Sequence, residues 1–345
     1  MRQPIKRAQP MTRTNLQIVL ASRPERQVTP QNFRAESQPV PALTDGQVLV
    51  RNRYLSLDPY MRGRMAEAKS YAAPQPLGVV MQGATAGQIV ESKHPSFAVG
   101  DHVTGMLGWQ LYGVSDGRGL QKVDTTHIPL SAYIGVVGMP GATAYYGLHE
   151  ICRPKAGETV LVSAAAGAVG SVVGQLAKLH GCRAIGVAGG AEKCAHVVNE
   201  LGFDACIDYK AGALMAQFRA AAPQGIDCLF ENVGGEVFDT SLANMNAFGR
   251  IALCGMISGY DGEHVPLKNV GSFLINRLSM RGFIIAEHLD AWPRALGEIG
   301  KLVATKQLKY RETIAHGLRQ APAAFIGLLK GQNLGKQLVE LNDDA

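Results

Sequence analysis

The stretch LVSAAAGAVGSVVGQLAK, Leu161 to Lys178, decides the fold. A β-type apolar run beginning at Thr159 enters a turn of alanine and glycine, and a helical pattern leaves it. The dinucleotide fingerprint G-x-G-x-x-G sits at such a strand-to-helix junction. Here Ala165 holds the first glycine position, followed by Gly167 and Gly170. Alanine can stand first if the backbone needs no positive φ at that point. Gly167 lets the main chain approach a pyrophosphate closely. Gly170 and Gly174 share one helix face, which can then press on the strand beneath it. The unpaired N–H groups and positive dipole end of the helix favour the same anion. Gly181 is the expected C-terminal cap. A tightly packed βα unit without a ligand is the competing reading, and the surrounding sequence weighs against it.

From about Thr159 to Ile285, strand candidates alternate with helical patterns: TVLVSA, RAIGVA, DACIDY, DCLFEN, RIALCG and MRGFII. In the first helix Val169, Val172, Val173, Leu176 and Leu179 fall on one face. Such alternation predicts a parallel sheet with right-handed crossovers, and six strands fit an α/β doubly wound (Rossmann) fold. Before it, from about Leu16 to Val137, short β-type runs alternate with glycine and proline breakers, as in GQVLVRNRYLSLD and GVVMQGATAGQIVES. That texture predicts an all-β domain, barrel or sandwich. After it, from about Gln307, a short helix APAAFIGLLKG and a strand KQLVEL return to complete the first domain.

Composition narrows the function classes. The 345 residues are 46% hydrophobic and 18% charged, enough for sizeable cores and two domains. The net charge of +6 is partly local: Arg2, Lys6, Arg7 and Arg13 precede residue 15 with no acid among them. That segment reads as a loose tail. No basic run or recognition motif follows, so nucleic acid is not expected as a partner. The six cysteines include no C-x-x-C pair, which excludes zinc-knuckle spacing and argues for free thiols in a reducing cytoplasm. The basic N-terminus lacks the apolar core of a signal peptide, and no apolar run is long enough to span a membrane.

The second strand bears on which dinucleotide would bind. An NAD site places an acid near its end, where it binds the ribose 2′-hydroxyl. This chain has VAGGAEK, with Gly189 and Gly190 at that position. The glycines leave room for a 2′-phosphate, and Lys193 can supply positive charge, so NADP(H) is favoured; Glu192 is the dissenting charge. Taken alone, Lys193 reads equally well as an ordinary surface lysine. No metal pattern stands among the nine histidines. The one G-x-S-x-G match, Gly113 to Gly117, is followed by β-type sequence and not by the helix that a nucleophile elbow requires. The reaction therefore rests on the cofactor and on hydrogen-bond donors.

With these motifs assembled, the chain resembles the zinc-independent medium-chain dehydrogenase/reductases. Within them it is most similar to the leukotriene B4 dehydrogenase/prostaglandin reductase group, which includes curcumin and alkenal double-bond reductases. The resemblance spans about Leu16 to Leu341 and is carried by YLSLDPYMRGRM, GMPGATAYYGL, AAAGAVG, VAGGAEK, ENVGG, CGMISGY, GFI and GQNLGK. It implies a GroES-like β-barrel catalytic domain, residues 16–137 and 308–345, beside a Rossmann NADP-binding domain, residues 138–307, after a tail of residues 1–15. It implies NADPH-dependent reduction of the C=C bond of an α,β-unsaturated ketone or aldehyde. By resemblance, Ala165, Gly167, Ala168, Val169 and Gly170 form the phosphate turn. Gly190, Lys193 and Tyr209 hold the 2′-phosphate. Asn232, Cys254, Phe283, Ile285 and Asn333 border the cofactor, with the Cys254 thiol read as buried and not nucleophilic. Tyr260 faces the substrate carbonyl, and Tyr60 and Arg62 line the substrate pocket. The expected mechanism is hydride transfer to the β-carbon, with Tyr260 stabilising the enolate. A homodimer through RIALCG as edge strand is also implied. A quinone reductase on the same fold, alcohol oxidation and a non-catalytic NADPH sensor are the alternatives. Tyr60 and Tyr260 as packing residues, and Asn232 and Asn333 as turn caps, are the plainer readings of those positions.

Overall fold

The computed structural model describes residues 13–262 and 266–342. The first part holds strands β1 (Thr14–Leu20), β2 (Phe33–Pro39), β3 (Val48–Ser56), β4 (Thr85–Ser92), β5 (His102–Gly105), β6 (Tyr112–Ser115) and β7 (Gln121–Lys122), with helix α1 (Tyr60–Arg64). The central part alternates: α2 (Met139–Tyr146), β8 (Thr159–Ser163), α3 (Gly170–Leu179), β9 (Arg183–Ala188), α4 (Ala191–Ala195), β10 (Ala205–Asp208), α5 (Leu214–Ala221), β11 (Ile226–Glu231), α6 (Gly235–Ala243), β12 (Met245–Leu253), α7 (Ser272–Ile275), β13 (Ser279–Gly282) and α8 (Trp292–Ala304). The last part adds β14 (Glu312–His316), α9 (Ala321–Leu329) and β15 (Lys336–Glu340).

The central strands form a six-stranded parallel sheet in the order β10-β9-β8-β11-β12-β13. Counted within the sheet this is 3-2-1-4-5-6, the doubly wound order, and the strand order reverses between β8 and β11. β8 is buried along its whole length, as a strand covered by helices on both faces must be. The other strands build a seven-stranded sheet, β14-β15-β3-β4-β5-β7, with β6 also pairing β3. β6 and β15 share one edge of β3: β6 takes Val48–Arg51 and β15 takes Tyr54–Ser56. The returning strand thereby joins the sheet built by the first part of the chain. β1 and β2 pair with each other, and main-chain bonds such as Ile18 N–H to the Trp109 carbonyl lace them to the sheet. Trp109 closes this core, stacked on Phe33 and edge-on to Phe325 of α9.

Several expectations are corrected here. Residues 1–12 of the expected tail lie outside the described residues, but residues 14 and 15 belong to β1, where Thr14 pairs with Pro39 and Asn15 with Gln38. Leu179 does not share the buried face of α3: it is 53% exposed, because the helix is ending there. Gly174 does not meet a strand. A Cβ there would lie 1.8 Å from Cζ of Phe203, so the glycine admits an aromatic ring from the loop before β10. RIALCG is not an edge, since β12 pairs with β11 on one side and β13 on the other; the edge strand is β13. Gly181 does cap α3. It takes φ +75°, its N–H bonds the Lys178 carbonyl, and Cys182 N–H bonds the Ala177 carbonyl, the two bonds of a Schellman cap. Ser115 of the G-x-S-x-G match ends β6 and leads into a turn, with no helix behind it.

Candidate functional site

The switch point between β8 and β11 is where a doubly wound sheet opens a crevice at its carboxyl end. One residue spans it. Asn232, just past β11, donates its N–H to Ser163 Oγ at 2.7 Å and its Nδ2 to the Ser163 carbonyl at 2.8 Å. Asn232 is thus a tie across the crevice floor.

The turn after β8 does need a left-handed residue, one position earlier than the fingerprint suggests. Ala164 takes φ +51°, while Ala165 turns fully into the core. Gly170 is held in close quarters: a Cβ there would fall 2.4 Å from the Ala164 carbonyl oxygen. Ser171 N–H closes on the Gly167 carbonyl and Val173 N–H on that of Val169, so helical bonding starts from within the turn. Ala168 and Val169 stand half-buried at this end, where the first N–H groups of a helix have no partner within it. The C-terminal segment crosses over the same turn. Gly335 N–H bonds the Ala166 carbonyl at 2.8 Å, and Gly335 bridges Gly167.

The end of β9 builds a second, positively charged rim. Gly189 has the ring of Tyr209 against it: a Cβ would meet the phenol at 2.8 Å. Gly190 takes φ +99°, has open space where a side chain would stand, and gives its N–H to Asp208 Oδ1. Lys193, on α4, donates to the Gly331 carbonyl at 2.6 Å. Burial, and then the charge of Lys210, hold the Lys193 pKa below its usual value. Tyr209 is 46% exposed, so its ring covers this rim from outside.

Two further elements face the crevice. The loop after β12 is anchored by Cys254 and Gly255 N–H groups on the Glu231 carbonyl. Ser258 Oγ and N–H both donate to the Val233 carbonyl, which brings Tyr260 over Gly255. Burial raises the Tyr260 pKa against a main-chain hydrogen bond from Met256, with Cys254 and Tyr71 adding to the rise. Burial pushes the Cys254 thiol up to about 12, assisted by Glu231, which matches its reading as an unreactive thiol. On the barrel side, α1 presents Tyr60, whose ring meets the Arg64 guanidinium at 5.9 Å; the same guanidinium lies 5.6 Å from the Tyr71 ring. Burial, then Asp58, carry the Tyr60 pKa above the ordinary phenol range.

Arg62 differs from its expected place. It is 5% exposed, with Nε 3.3 Å from Asp261 Oδ1 and Nη2 donating to the Arg26 carbonyl at 2.6 Å. Its charge is engaged in tying α1 to the loop after β12. That tie borders a cleft of about 760 Å³ between residues 23–32 of the barrel and Ser258 and Asp261 of the other domain. Phe283 and Ile285 turn their side chains into the core, Phe283 edge-on to Phe230 and tilted against Tyr146. Asn333 folds onto its own turn, Nδ2 to the Gly335 carbonyl at 2.7 Å, as the capping reading has it.

Three features went unread in the sequence. Tyr71 stands with Tyr260 and Arg64, and nothing in its local sequence marks it. Asp58 and Lys336 form a buried ion pair at 3.2 Å, Lys336 also donating to the Leu57 carbonyl, which locks the returning strand under α1. Glu231 is completely buried at the end of β11. Its Oε1 accepts the N–H groups of Val233 and Gly234, both at 2.6 Å, and its Oε2 has no hydrogen-bond partner. Burial raises its pKa to about 7 against those two bonds and the weaker opposition of the Ser163 hydroxyl and the Asn232 main chain. A charged residue inside an otherwise apolar strand end, as in LFENVGG, is the signal that could have found it.

A switch-point crevice with a glycine turn, a basic rim and a facing barrel defines a two-domain, dinucleotide-dependent oxidoreductase. Residues 16–123 match a family described as the N-terminal domain of oxidoreductase, and residues 168–301 one described as zinc-binding dehydrogenase. The chain belongs to the leukotriene B4 dehydrogenase/prostaglandin reductase group of the medium-chain dehydrogenase/reductases. It is 46% identical to the NADPH-dependent curcumin reductase of Escherichia coli K12 over 96% of this chain and 98% of that one. It is 44% identical to rat prostaglandin reductase 1 (90% and 94% covered) and 44% identical to the tobacco NADP(+)-dependent 2-alkenal reductase (85% and 86%). The crystal structure of CurA from Vibrio vulnificus in complex with NADPH superposes with a TM-score of 0.90 at 46% identity, covering 95% of this chain and 99% of that one. Among the described residues, no three His, Cys, Asp or Glu side chains are grouped to hold a metal ion. No helix among them is long and apolar enough to cross a membrane.

Proposed function

We propose that this chain reduces the C=C bond of α,β-unsaturated ketones and aldehydes with NADPH, a reading supported by the names of its relatives and by its own crevice. The observation that carries it is Tyr260: a largely buried, protonated hydroxyl poised over Gly255 at the mouth of a dinucleotide crevice. The residues fit the cofactor. Ala165, Gly167, Ala168, Val169 and Gly170 hold the pyrophosphate, where Gly170 leaves no space for a side chain. Gly190, Lys193 and Tyr209 hold the 2′-phosphate, where the open space beside Gly190 adjoins a lysine with excess positive charge around it. Asn232, Cys254 and Asn333 border the nicotinamide half, and Phe283 and Ile285 contribute main chain there, their side chains being committed to the core.

NADPH, when bound, supplies the hydride for the β-carbon. The chain's own part is to orient the enone and to stabilise the negative charge that gathers on the carbonyl oxygen. Tyr260 O–H donates to that oxygen, and such a donor lowers the barrier by roughly 3–4 kcal/mol. Tyr60 walls the substrate side, and Arg62 fixes α1 to the Tyr260 loop through Asp261. In domain terms, residues 14–137 and 308–342 form the catalytic unit and residues 138–307 the nucleotide unit. The protein acts in the cytoplasm as a homodimer, with β13 in place of RIALCG as the joining edge. All four β13 residues are exposed, with Leu274 and Ile275 exposed beside them.

A panel of enones, enals and quinones assayed with NADPH and with NADH tests the reading. Loss of NADPH absorbance with enones and enals, and little with NADH, is the expected result. Turnover of quinones alone would make it a quinone reductase, and binding without consumption would make it a sensor.

A further inference from the structure

We propose that His149 and His180 form a surface site for one divalent transition-metal ion of the imidazole-preferring class, represented by Zn²⁺, Ni²⁺ and Cu²⁺. His149 lies in the π-helical turn Gly147–Cys152 that continues α2, and His180 caps the C-terminus of α3. Their Nε2 atoms are 2.5 Å apart, with the rings at 72° and centroids 4.7 Å apart. The other nitrogen of His149, Nδ1, lies 3.0 Å from the Tyr145 carbonyl oxygen. A carbonyl only accepts, so Nδ1 carries the hydrogen, and Nε2 is the nitrogen left to present a lone pair toward His180 when the ring is neutral. A main-chain carbonyl on the remote nitrogen is the arrangement that fixes tautomer and orientation in metal-bound histidines. The Tyr145 ring, with its centroid 4.1 Å from that of His149, further limits its swing.

Two imidazole nitrogens this close either share a proton or admit a cation. Metal–nitrogen bonds of about 2.0–2.1 Å at tetrahedral or square angles separate two ligand nitrogens by roughly 2.9–3.4 Å. His180 is exposed and needs to move outward by less than about 1 Å to open that distance. Glu298 and Arg294 of α8, ion-paired with each other at 3.2 Å, both stand near His149. With two protein ligands, water completes the coordination. The site is separate from the nucleotide crevice: His180 stands at the opposite end of α3 from the phosphate turn, roughly 15 Å along the helix. A bound ion would clamp the end of α2 to the end of α3.

The test is calorimetric titration of NiCl₂ and ZnCl₂ into the untagged full-length protein, with Cu²⁺ electron paramagnetic resonance to count bound nitrogens. The proposal expects one ion per chain, an affinity at least about ten-fold weaker in His149→Ala and in His180→Gln, and two nitrogen couplings falling to one in either variant. His180→Gln changes an exposed side chain, so the measurement survives if His149→Ala perturbs folding. Equal affinity in wild type and variants would place the metal elsewhere and overturn the proposal. So would absence of uptake by the wild type, which would leave the pair as a shared-proton contact.

Discussion

At the scale of single residues, the crevice divides between groups that face a ligand and groups that hold those groups in place. Tyr260 belongs to the first kind. Tyr260→Phe removes one hydrogen-bond donor and little volume, so kcat with an enone should fall by about 10²–10³-fold. The NADPH dissociation constant, followed by fluorescence, should stay unchanged; normal turnover would remove Tyr260 from the chemistry. Lys193→Ala should weaken NADPH about 10- to 100-fold and leave NADH nearly untouched, since a charge-assisted bond to a phosphate is worth a few kcal/mol at most. Arg62 is of the second kind: it is buried and ties α1 to Asp261 and to the Arg26 carbonyl. The resemblance carried by DPYMR put Arg62 in the substrate pocket with Tyr60; the partners that occupy it, Arg26 and Asp261, come from segments 36 and 199 residues away.

At the scale of elements, two junctions carry the argument. α3 packs against the loop before β10 through Gly174, where a Cβ has no room beside Phe203. Gly174→Ala gains helix propensity and loses packing, so a net destabilisation of about 1–2 kcal/mol is expected, read as a lower thermal midpoint. The end of β11 carries Glu231, whose native pKa of about 7 lies above that of an unfolded glutamate. Between those two values the native state holds a proton that the unfolded state has released. Stability from this group is complete at acid pH and is lost as pH rises toward 7, by of the order of 3 kcal/mol in all. Glu231→Gln keeps an acceptor for the Val233 and Gly234 N–H groups and removes the titration. Denaturant unfolding at pH 5 and pH 8 should show the wild type losing stability over that interval and the variant losing much less. A parallel pH dependence in both would show that Glu231 is not the titrating group.

At the scale of the whole molecule, the C-terminal segment joins the two sheets. After α9 it passes Lys193 at Gly331 and the phosphate turn at Gly335, then buries Lys336 against Asp58 and pairs as β15 with β3. That segment is bonded on one side to the glycine turn and α4 and on the other to the barrel sheet. The other whole-molecule feature is the open edge at β13. Introducing aspartate at Leu274 and Ile275 together should shift a dimer to monomer in analytical ultracentrifugation, with the NADPH site intact. An unchanged mass would put the interface elsewhere. Leu274 is 84% exposed, so the substitution costs the isolated chain little.

The sequence by itself determined the parts whose signals are local. Strand-turn-helix punctuation, the alternation of six strands with helices, the glycine pair after β9 and the Schellman glycine at 181 are each read within a few residues. Each follows from φ preference, periodicity or the space a missing Cβ leaves. What only the tertiary structure decided depends on approach between distant segments. A left-handed residue stands at Ala164, one position before the fingerprint begins, and Ala165 needs no positive φ, because the sheet fixes where the chain must turn. β12 proved interior, because β13 lies beyond it despite its polar, exposed sequence. Phe283 and Ile285 proved to be core residues, and Glu231, Tyr71 and the Asp58–Lys336 pair entered the account only once their neighbours were known. Burial and charge pairing are properties of the assembled fold, and no window of sequence contains the other half of such a contact.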